Sequence, residues 1–280
     1  MTDATHSAEQ PAAPATEPAP APRGKLKIFL GAAPGVGKTY EMLSSAAQRL
    51  AAGVDVIIGV VDTHGQPETE AMAARFERIP RIAVAHAAGT LEEMDLDAIL
   101  ARAPALVLID DYAHANPDAC RHPRRWQDVE ELRDAGIDVY TTLNIQHIES
   151  LSDVVAGFTH LPVHDTVPDN ILDAAEIEVV DLPPDELIER LKEGKVAVPD
   201  DATRAPHYFS RPNLSALREL ALRRAAMRVD NQMLEDLDGG APAAPFAGGE
   251  RVLVAISELP GADTLVRTAK RLAAALRAPR

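Results

Sequence analysis

The chain has 280 residues, 46% of them hydrophobic, enough for one good-sized core or for one core and part of another. A formal net charge of −15 argues against nucleic-acid binding and against direct attraction to anionic lipid, since both call for a basic face. The single cysteine, Cys120, excludes an intrachain disulfide and a cysteine-rich zinc site, and no run of about 18 apolar residues is present to span a membrane.

Residues 1–23 are rich in Pro and Ala, without the basic and apolar regions of a signal peptide, and read as a disordered tail. From Gly24 onward strand and helix patterns alternate. Lys25–Leu30 reads as a strand, Tyr40–Ala52 as a helix with Met42, Leu43, Ala46, Ala47 and Leu50 on one side, and Val54–Val61 as a β-branched buried strand. Glu68–Arg78 reads as a helix closed by Pro80, Arg81–Ala85 as a short strand, Leu96–Ala103 as a short helix and Ala105–Ile109 as a buried strand. Arg125–Ala135 follows as a helix stopped by Gly136, then Ile137–Thr142 as a strand, His147–Val155 as a helix and Glu178–Leu182 as the last strand of the series. Repeated βα units with apolar strands predict an α/β fold, a doubly wound parallel sheet of the P-loop NTPase kind.

Past Pro183-Pro184 the pattern becomes helical, with Asp185–Lys192 and a long Asn213–Leu237 helix carrying Arg218, Arg223, Arg224 and Arg228. Those arginines read either as a solvated face or as a partner or phosphate surface. This gives a nucleotide-binding domain over 24–237 with a helical C-terminal extension, and a Gly/Pro/Ala linker over 238–250. Arg251–Ile256 and Asp263–Leu276 then read as a strand and an amphipathic helix. One βα unit cannot form a core, so 251–280 is expected to open a second α/β domain that is cut short.

The chemistry concentrates at the strand ends. Gly31-Ala-Ala-Pro-Gly-Val-Gly-Lys38-Thr39 follows the first strand and has the form of a phosphate-binding loop. Its backbone N–H groups converge on a phosphate, and the helix N-terminus adds its dipole. Ala32, Gly35, Val36, Gly37, Lys38 and Thr39 are therefore the nucleotide-contacting candidates, with Lys38 on the β- and γ-phosphates and the Thr39 hydroxyl on Mg²⁺. Ala32 stands where the motif has its first Gly, with Gly31 one place earlier. Leu106–Ile109 ends in Asp110, the expected acid on the Mg²⁺ side, and in Asp111, which could orient an attacking water or serve as a base. Taken alone, such paired acids also start loops or cap helices. His64 lies just past the second strand, where ligands sit in open α/β sheets. Arg121, Arg124 and Arg125 offer a phosphate clamp or a partner surface, or equally a solvated basic loop with Trp126 packed inward, and Thr141, Thr142, Asn144, Gln146 and His147 form a polar cluster after another strand. No Ser/His/Asp or Cys/His constellation and no protein-kinase signature set is legible.

The run Arg23-Gly-Lys-Leu-Lys-Ile-Phe-Leu-Gly-Ala-Ala-Pro-Gly-Val-Gly-Lys-Thr39 resembles the start of the N-terminal domain of the KdpD family, the osmosensitive, potassium-responsive sensor histidine kinases of bacteria. The resemblance continues through Gly59–Gly65, Arg121–Leu132, Gly136–Leu151, Val180–Asp185, Arg190-Leu-Lys-Glu-Gly-Lys-Val196 and Leu217–Arg224, covering nearly everything from Arg23 to Met233. The family shares Ala32. It usually reads Asp-Glu-Leu-Ala-His where this chain has Asp110-Asp-Tyr-Ala-His114, and the shorter Asp111 favours ATP binding over ATP hydrolysis.

The resemblance implies a regulatory site for ATP and Mg²⁺ that tunes kinase and phosphatase activities. It also implies a first βα unit of a universal-stress-protein-like domain after Glu250, too incomplete here for the cyclic-di-AMP binding found in some relatives. Full-length relatives are expected to be homodimers embedded in the bacterial inner membrane, with this domain in the cytoplasm. Their further parts, a four-helix membrane segment and the histidine-kinase core, would be its partners. Through that core a response regulator switches on a potassium-uptake ATPase. The alternatives are an autonomous P-loop ATPase or small-molecule kinase, and a binding platform without nucleotide affinity.

Overall fold

A computed structural model describes residues 22–86, 89–196, 207–238, 252–256 and 261–275. The expected tail over 1–23 and the linker over 238–250 lie almost wholly outside the described residues. Five strands rich in aliphatic and β-branched residues form the body of the main sheet: β1 (Leu26–Gly31), β2 (Val56–Val60), β6 (Leu106–Ile109), β7 (Asp138–Asn144) and the edge strand β8 (Glu176–Val180). With the two-residue edge strand β3 (Glu77–Arg78) they give the order β3-β2-β6-β7-β1-β8, and every pairing in it is parallel. All five residues of β2 and all four of β6 are buried, as strands covered on both faces must be. Each fully buried Ile or Leu among them contributes about 1.5–3 kcal/mol.

Helix α1 (Lys38–Ala51) buries Lys38, Met42, Leu43, Ala46 and Ala47, a stripe of helical period that lies on the sheet. The remaining helices of the domain are α2 (Pro67–Ala73), α3 (Leu96–Arg102), α4 (Arg125–Asp134), α5 (Ser152–Thr159), α6 (Asp169–Asp173), α7 (Pro184–Lys192) and the long α8 (Arg211–Asp238). Buried Leu214, Leu217 and Ala221 seat α8 on the core. Three of its arginines are held by carboxylates: Arg218 by Asp181, Arg223 by Glu219 and Arg224 by Asp173. Arg218 and Arg223 lie on the paired outer face, Arg224 is largely buried against Asp173, and the side chain of Arg228 lies outside the described residues.

Several sequence expectations are corrected. The helix expected over Glu68–Arg78 stops at Ala73, because Phe76 is drawn into the core and Glu77–Arg78 then pair with Ile57 and Ile58. The short strand after Arg81 is β4 (Ile82–His86), and it does not join the main sheet. It pairs antiparallel with β5 (Gly89–Glu93), whose polar sequence gave no strand signal. Where a helix was expected over His147–Val155, two 3-10 turns (Ile145–His147 and Glu149–Leu151) precede α5, since Ile148 is extended to bridge Val167. The last strand falls at Glu176–Val180, two residues earlier than expected, where Glu176 and Glu178 reach Lys27 on β1. Of the strand expected at Arg251–Ile256, Arg251 lies outside the described residues and 252–256 join no sheet among them; a strand without a neighbour has no ladder to gain. The following helix, α9 (Ala262–Ala275), does form. It docks on the second 3-10 turn, with Arg271 donating to the Ser150 carbonyl and pairing with Asp153, both at 2.6 Å.

Candidate functional site

The carboxyl ends of β1, β2, β6 and β7 open onto one cavity of about 610 Å³, a size typical of small-molecule sites. Its walls bring together Gly35, Lys38, Thr39, Asp62, His64, Asp110, Asp111, Arg125, Thr142 and Asn144, drawn from every strand-end cluster that the sequence singles out. Strand order explains the convergence: β7 lies between β1, which leads into the glycine-rich loop, and β6, which ends at Asp110.

The loop is built by close packing. A Cβ at Gly31 would stand 2.6 Å from Val36 Cγ2 and 2.8 Å from Lys38 Cδ, so position 31 must be glycine. Ala32, at the motif's first glycine position, is buried in the core wall. Val36 points into the core and offers a ligand only its backbone. Gly35 and Gly37 are left-handed, with φ of 85° and 105°. The amides of Gly35, Gly37, Lys38 and Thr39 have no acceptor among the described residues, leaving a concave row of donors at the N-terminus of α1. That is the donor set an anionic group requires.

Lys38 is buried, and its Nζ donates to the Ala33 carbonyl at 3.2 Å. Burial pulls its pKa from 10.5 down to about 8, against the opposing pull of Asp110 and Asp111. Thr39 Oγ1 donates to Asp110 Oδ2 at 3.0 Å, while Asp110 Oδ1 accepts from the Thr142 hydroxyl and from the Asp111 amide. Thr39 and Asp110 are thus adjacent oxygen donors. No cluster of three or more His, Cys, Asp or Glu suited to a metal occurs among the described residues. A hydroxyl and one carboxylate fit Mg²⁺, which keeps several waters and takes further oxygens from phosphate, better than a cation needing a full protein cage.

Asp111 lines the cavity in an exposed, left-handed position with φ of 54°, and its Oδ1 accepts from the Ala113 amide at 3.3 Å. His64 is also left-handed and exposed; its amide donates to Asp62 Oδ1 at 2.9 Å. Of the three arginines, only Arg125 reaches the cavity. Arg121 pairs with Asp97 and Glu131, and Arg124 with Asp165. Arg125 is itself committed, donating to the Asp110 carbonyl at 3.0 Å and to Glu93 at 2.8 Å in a pair buried on both sides. His114 lies 3.0 Å from the other Glu93 oxygen. Burial pushes the Glu93 carboxyl up, but His114 and Arg125 outweigh it and hold the group below its usual range. Arg125 therefore positions Asp110 and ties β5 to it. From the polar cluster after β7, Thr142 and Asn144 face the cavity, whereas Gln146 meets Tyr208 and His147 meets the Asp165 carbonyl. Sequence reasoning missed Glu93, His114, Arg81 and Lys195, all of which line the cavity. Of these, Lys195 and His114 lie in stretches quoted for the family resemblance, without a role assigned to either, and no spacing marks Glu93 or Arg81.

Among the described residues no helix is long and apolar enough to cross a membrane. The family model described as KdpD, osmosensitive K+ channel His kinase sensor domain, matches residues 22–229. The chain is 50% identical over 256 residues to "Sensor protein KdpD" of Escherichia coli (strain K12), covering 91% of this chain and 29% of that protein. It is 43% identical over 254 residues to the protein of the same name from Clostridium acetobutylicum, covering 90% and 28%. The same name recurs in Mycobacterium tuberculosis (strain ATCC 25618 / H37Rv), at 43% identity over 253 residues, covering 90% and 29%. The chain spans under a third of the length of these relatives. With well over half of its residues matched by the family model, the chain belongs to the KdpD family, in the part described as its sensor domain.

Proposed function

We propose that this region is a regulatory ATP-binding module of a sensor histidine kinase that governs potassium uptake, and that Mg²⁺-nucleotide at the loop tunes the kinase and phosphatase activities of the rest of the protein. The observation that carries the reading is the adjacency of Lys38, Thr39 and Asp110 beside a row of free loop amides in one cavity. The amides and Lys38 would hold the phosphates. Thr39 and Asp110 would hold Mg²⁺, which when bound supplies charge neutralisation between the phosphates. Asp111, beside Asp110, is the base candidate that the sequence offers. Its carboxylate already caps the Ala113 amide, so slow turnover fits this site better than fast hydrolysis. Regulation requires that the bound and free states differ in their contacts with the remainder of a longer protein. In that protein the response regulator, the homodimer and the membrane segment would be partners, and this domain would lie on the cytoplasmic side of the bacterial membrane. A stress-protein-like domain beginning after residue 250 belongs to the same proposal.

The test is equilibrium binding of ATP to the 280-residue chain with and without Mg²⁺, for wild type, Thr39→Ala and Asp110→Asn, with ADP formation followed in parallel. Saturable binding strengthened by Mg²⁺, with that strengthening lost in Asp110→Asn and little ADP formed, supports the module. Rapid turnover with a specific acceptor would favour an autonomous enzyme instead. Absence of saturable binding by the folded protein would leave only an interaction platform.

A further inference from the structure

The stretch after α7 reaches the cavity although the loop motif does not call for it. Glu193 closes α7, and Gly194 turns left-handed with φ of 70°. The Gly194 amide donates to the Leu191 carbonyl at 3.1 Å and the Lys195 amide to the Arg190 carbonyl at 2.9 Å. These are the two reverse bonds of a Schellman motif, and they fix the direction in which the chain leaves the helix. Val196 then lies buried on Gly35, where a Cβ would stand 2.5 Å from both valine γ-carbons. Arg190 Nη1 adds a 3.4 Å approach to the Gly35 carbonyl. The lack of a side chain at Gly35 thus does two things: it permits the loop's left-handed turn, and it lets this strap rest on the loop.

The consequence is that Lys195 lines the same cavity as Lys38, Thr39 and Asp110. That cavity is rich in carboxylates, with Asp62, Glu92, Asp110 and Asp111 in its walls beside the paired Glu93. Arg125 is neutralised by Glu93, which leaves Lys38 and Arg81, whose guanidinium donates to the Val61 carbonyl, as a weak counterweight for a polyphosphate among so many carboxylates. Lys195 Nζ is 2.7 Å from Glu193 in an exposed pair, which is worth little and can be exchanged for a stronger anion without stranding a buried charge.

We propose that Lys195 is a second phosphate-binding lysine, delivered to the loop by the α7 strap and engaging the nucleotide's polyphosphate together with Lys38. The proposal rests on the nucleotide reading above and deepens it. It also makes the strap part of the ligand site, so that occupancy is felt at the C-terminal end of α7.

Calorimetric titration of Mg-ATP into the 280-residue chain tests it with wild type, Lys195→Ala, Lys195→Arg and Lys38→Ala, each checked by thermal unfolding. Lys195→Ala is expected to weaken binding about tenfold with an unchanged melting curve, the worth of one charge-assisted hydrogen bond, and Lys195→Arg to restore most of it. Wild-type affinity in Lys195→Ala alongside lost binding in Lys38→Ala overturns this proposal and leaves the nucleotide reading standing. Weakening that arginine does not repair, with a lowered melting temperature, assigns Lys195 a packing role and also overturns it. No binding by wild type removes the nucleotide reading and this proposal with it.

Discussion

Raising the pH should weaken nucleotide binding through Lys38. Its pKa of about 8 is set by burial, with Asp110 and Asp111 pulling the other way. At pH 7 about 90% of free sites carry a charged lysine, and at pH 9 about 10% do. A bound polyphosphate selects the ammonium form, so affinity should be nearly flat below pH 7.5 and fall about tenfold between pH 7 and 9. Binding near pH 8 should take up about half a proton, because about half the free sites must be protonated on binding. Calorimetry in buffers of different ionisation enthalpy measures that uptake directly. Phosphate ionisation, with a second pKa of about 6, is about 90% complete at pH 7 and about 99% complete at pH 8, so it adds little to the change. Affinity independent of pH from 7 to 9, or no proton uptake at pH 8, would refute the coupling of a lowered Lys38 pKa to phosphate binding, and unchanged affinity in Lys38→Ala would refute its placement at the phosphates. The same shift has a stability consequence of definite sign. The folded-state pKa lies below the unfolded value of 10.5, so between about pH 8 and 10.5 the unfolded chain binds more protons, and Lys38's contribution to stability rises with pH.

Other substitutions probe the supports of the site. Arg125→Met should destabilise the fold by about 3–5 kcal/mol in urea denaturation, because it leaves Glu93 buried without its guanidinium. Adding Glu93→Gln to that variant should recover a good part of the loss, and failure to do so would mean the pair is not coupled. Gly35→Ala should lower both nucleotide affinity and melting temperature, since the new Cβ meets Val196 in a left-handed turn. Combining it with Val196→Ala should remove the two 2.5 Å clashes but leave a tight 3.0 Å Cβ approach and the backbone strain, giving partial recovery. Arg218→Ala on α8 should change stability by less than about 1 kcal/mol in the same denaturation experiment, as its bond to Asp181 is an exposed one.

The sheet's centre was legible because its signals are local. Unbroken apolar runs gave β2 and β6, and helical periodicity with a terminal glycine gave α1 and α4. The loop and Asp110 were legible for a related reason: each directly follows a buried strand, and parallel strands deliver their carboxyl ends to one edge. What the sequence hid depends on tertiary partners. β5 is polar and exists by pairing with β4, and β3 is two residues recruited by β2. Arg125 read as a candidate phosphate ligand because its sequence neighbours are basic; the buried Glu93 that engages it is 32 residues away on another element. Lys195 was quoted only as part of a resemblance, since its approach to the loop follows from the helix cap at Gly194 and the bare Cα of Gly35, 159 residues before Gly194 in chain order.

The central claim is that a Mg²⁺-nucleotide lies against the loop at the sheet's carboxyl edge. Amide hydrogen exchange of the 280-residue chain, with and without Mg-ATP, reads this directly. Gly35, Gly37, Lys38 and Thr39 have amides with no acceptor among the described residues, and bound phosphate would give them one. The account predicts strong slowing of exchange across residues 35–39, accompanied by slowing at 193–196. Saturating nucleotide that leaves residues 35–39 exchanging as in the free protein would contradict it.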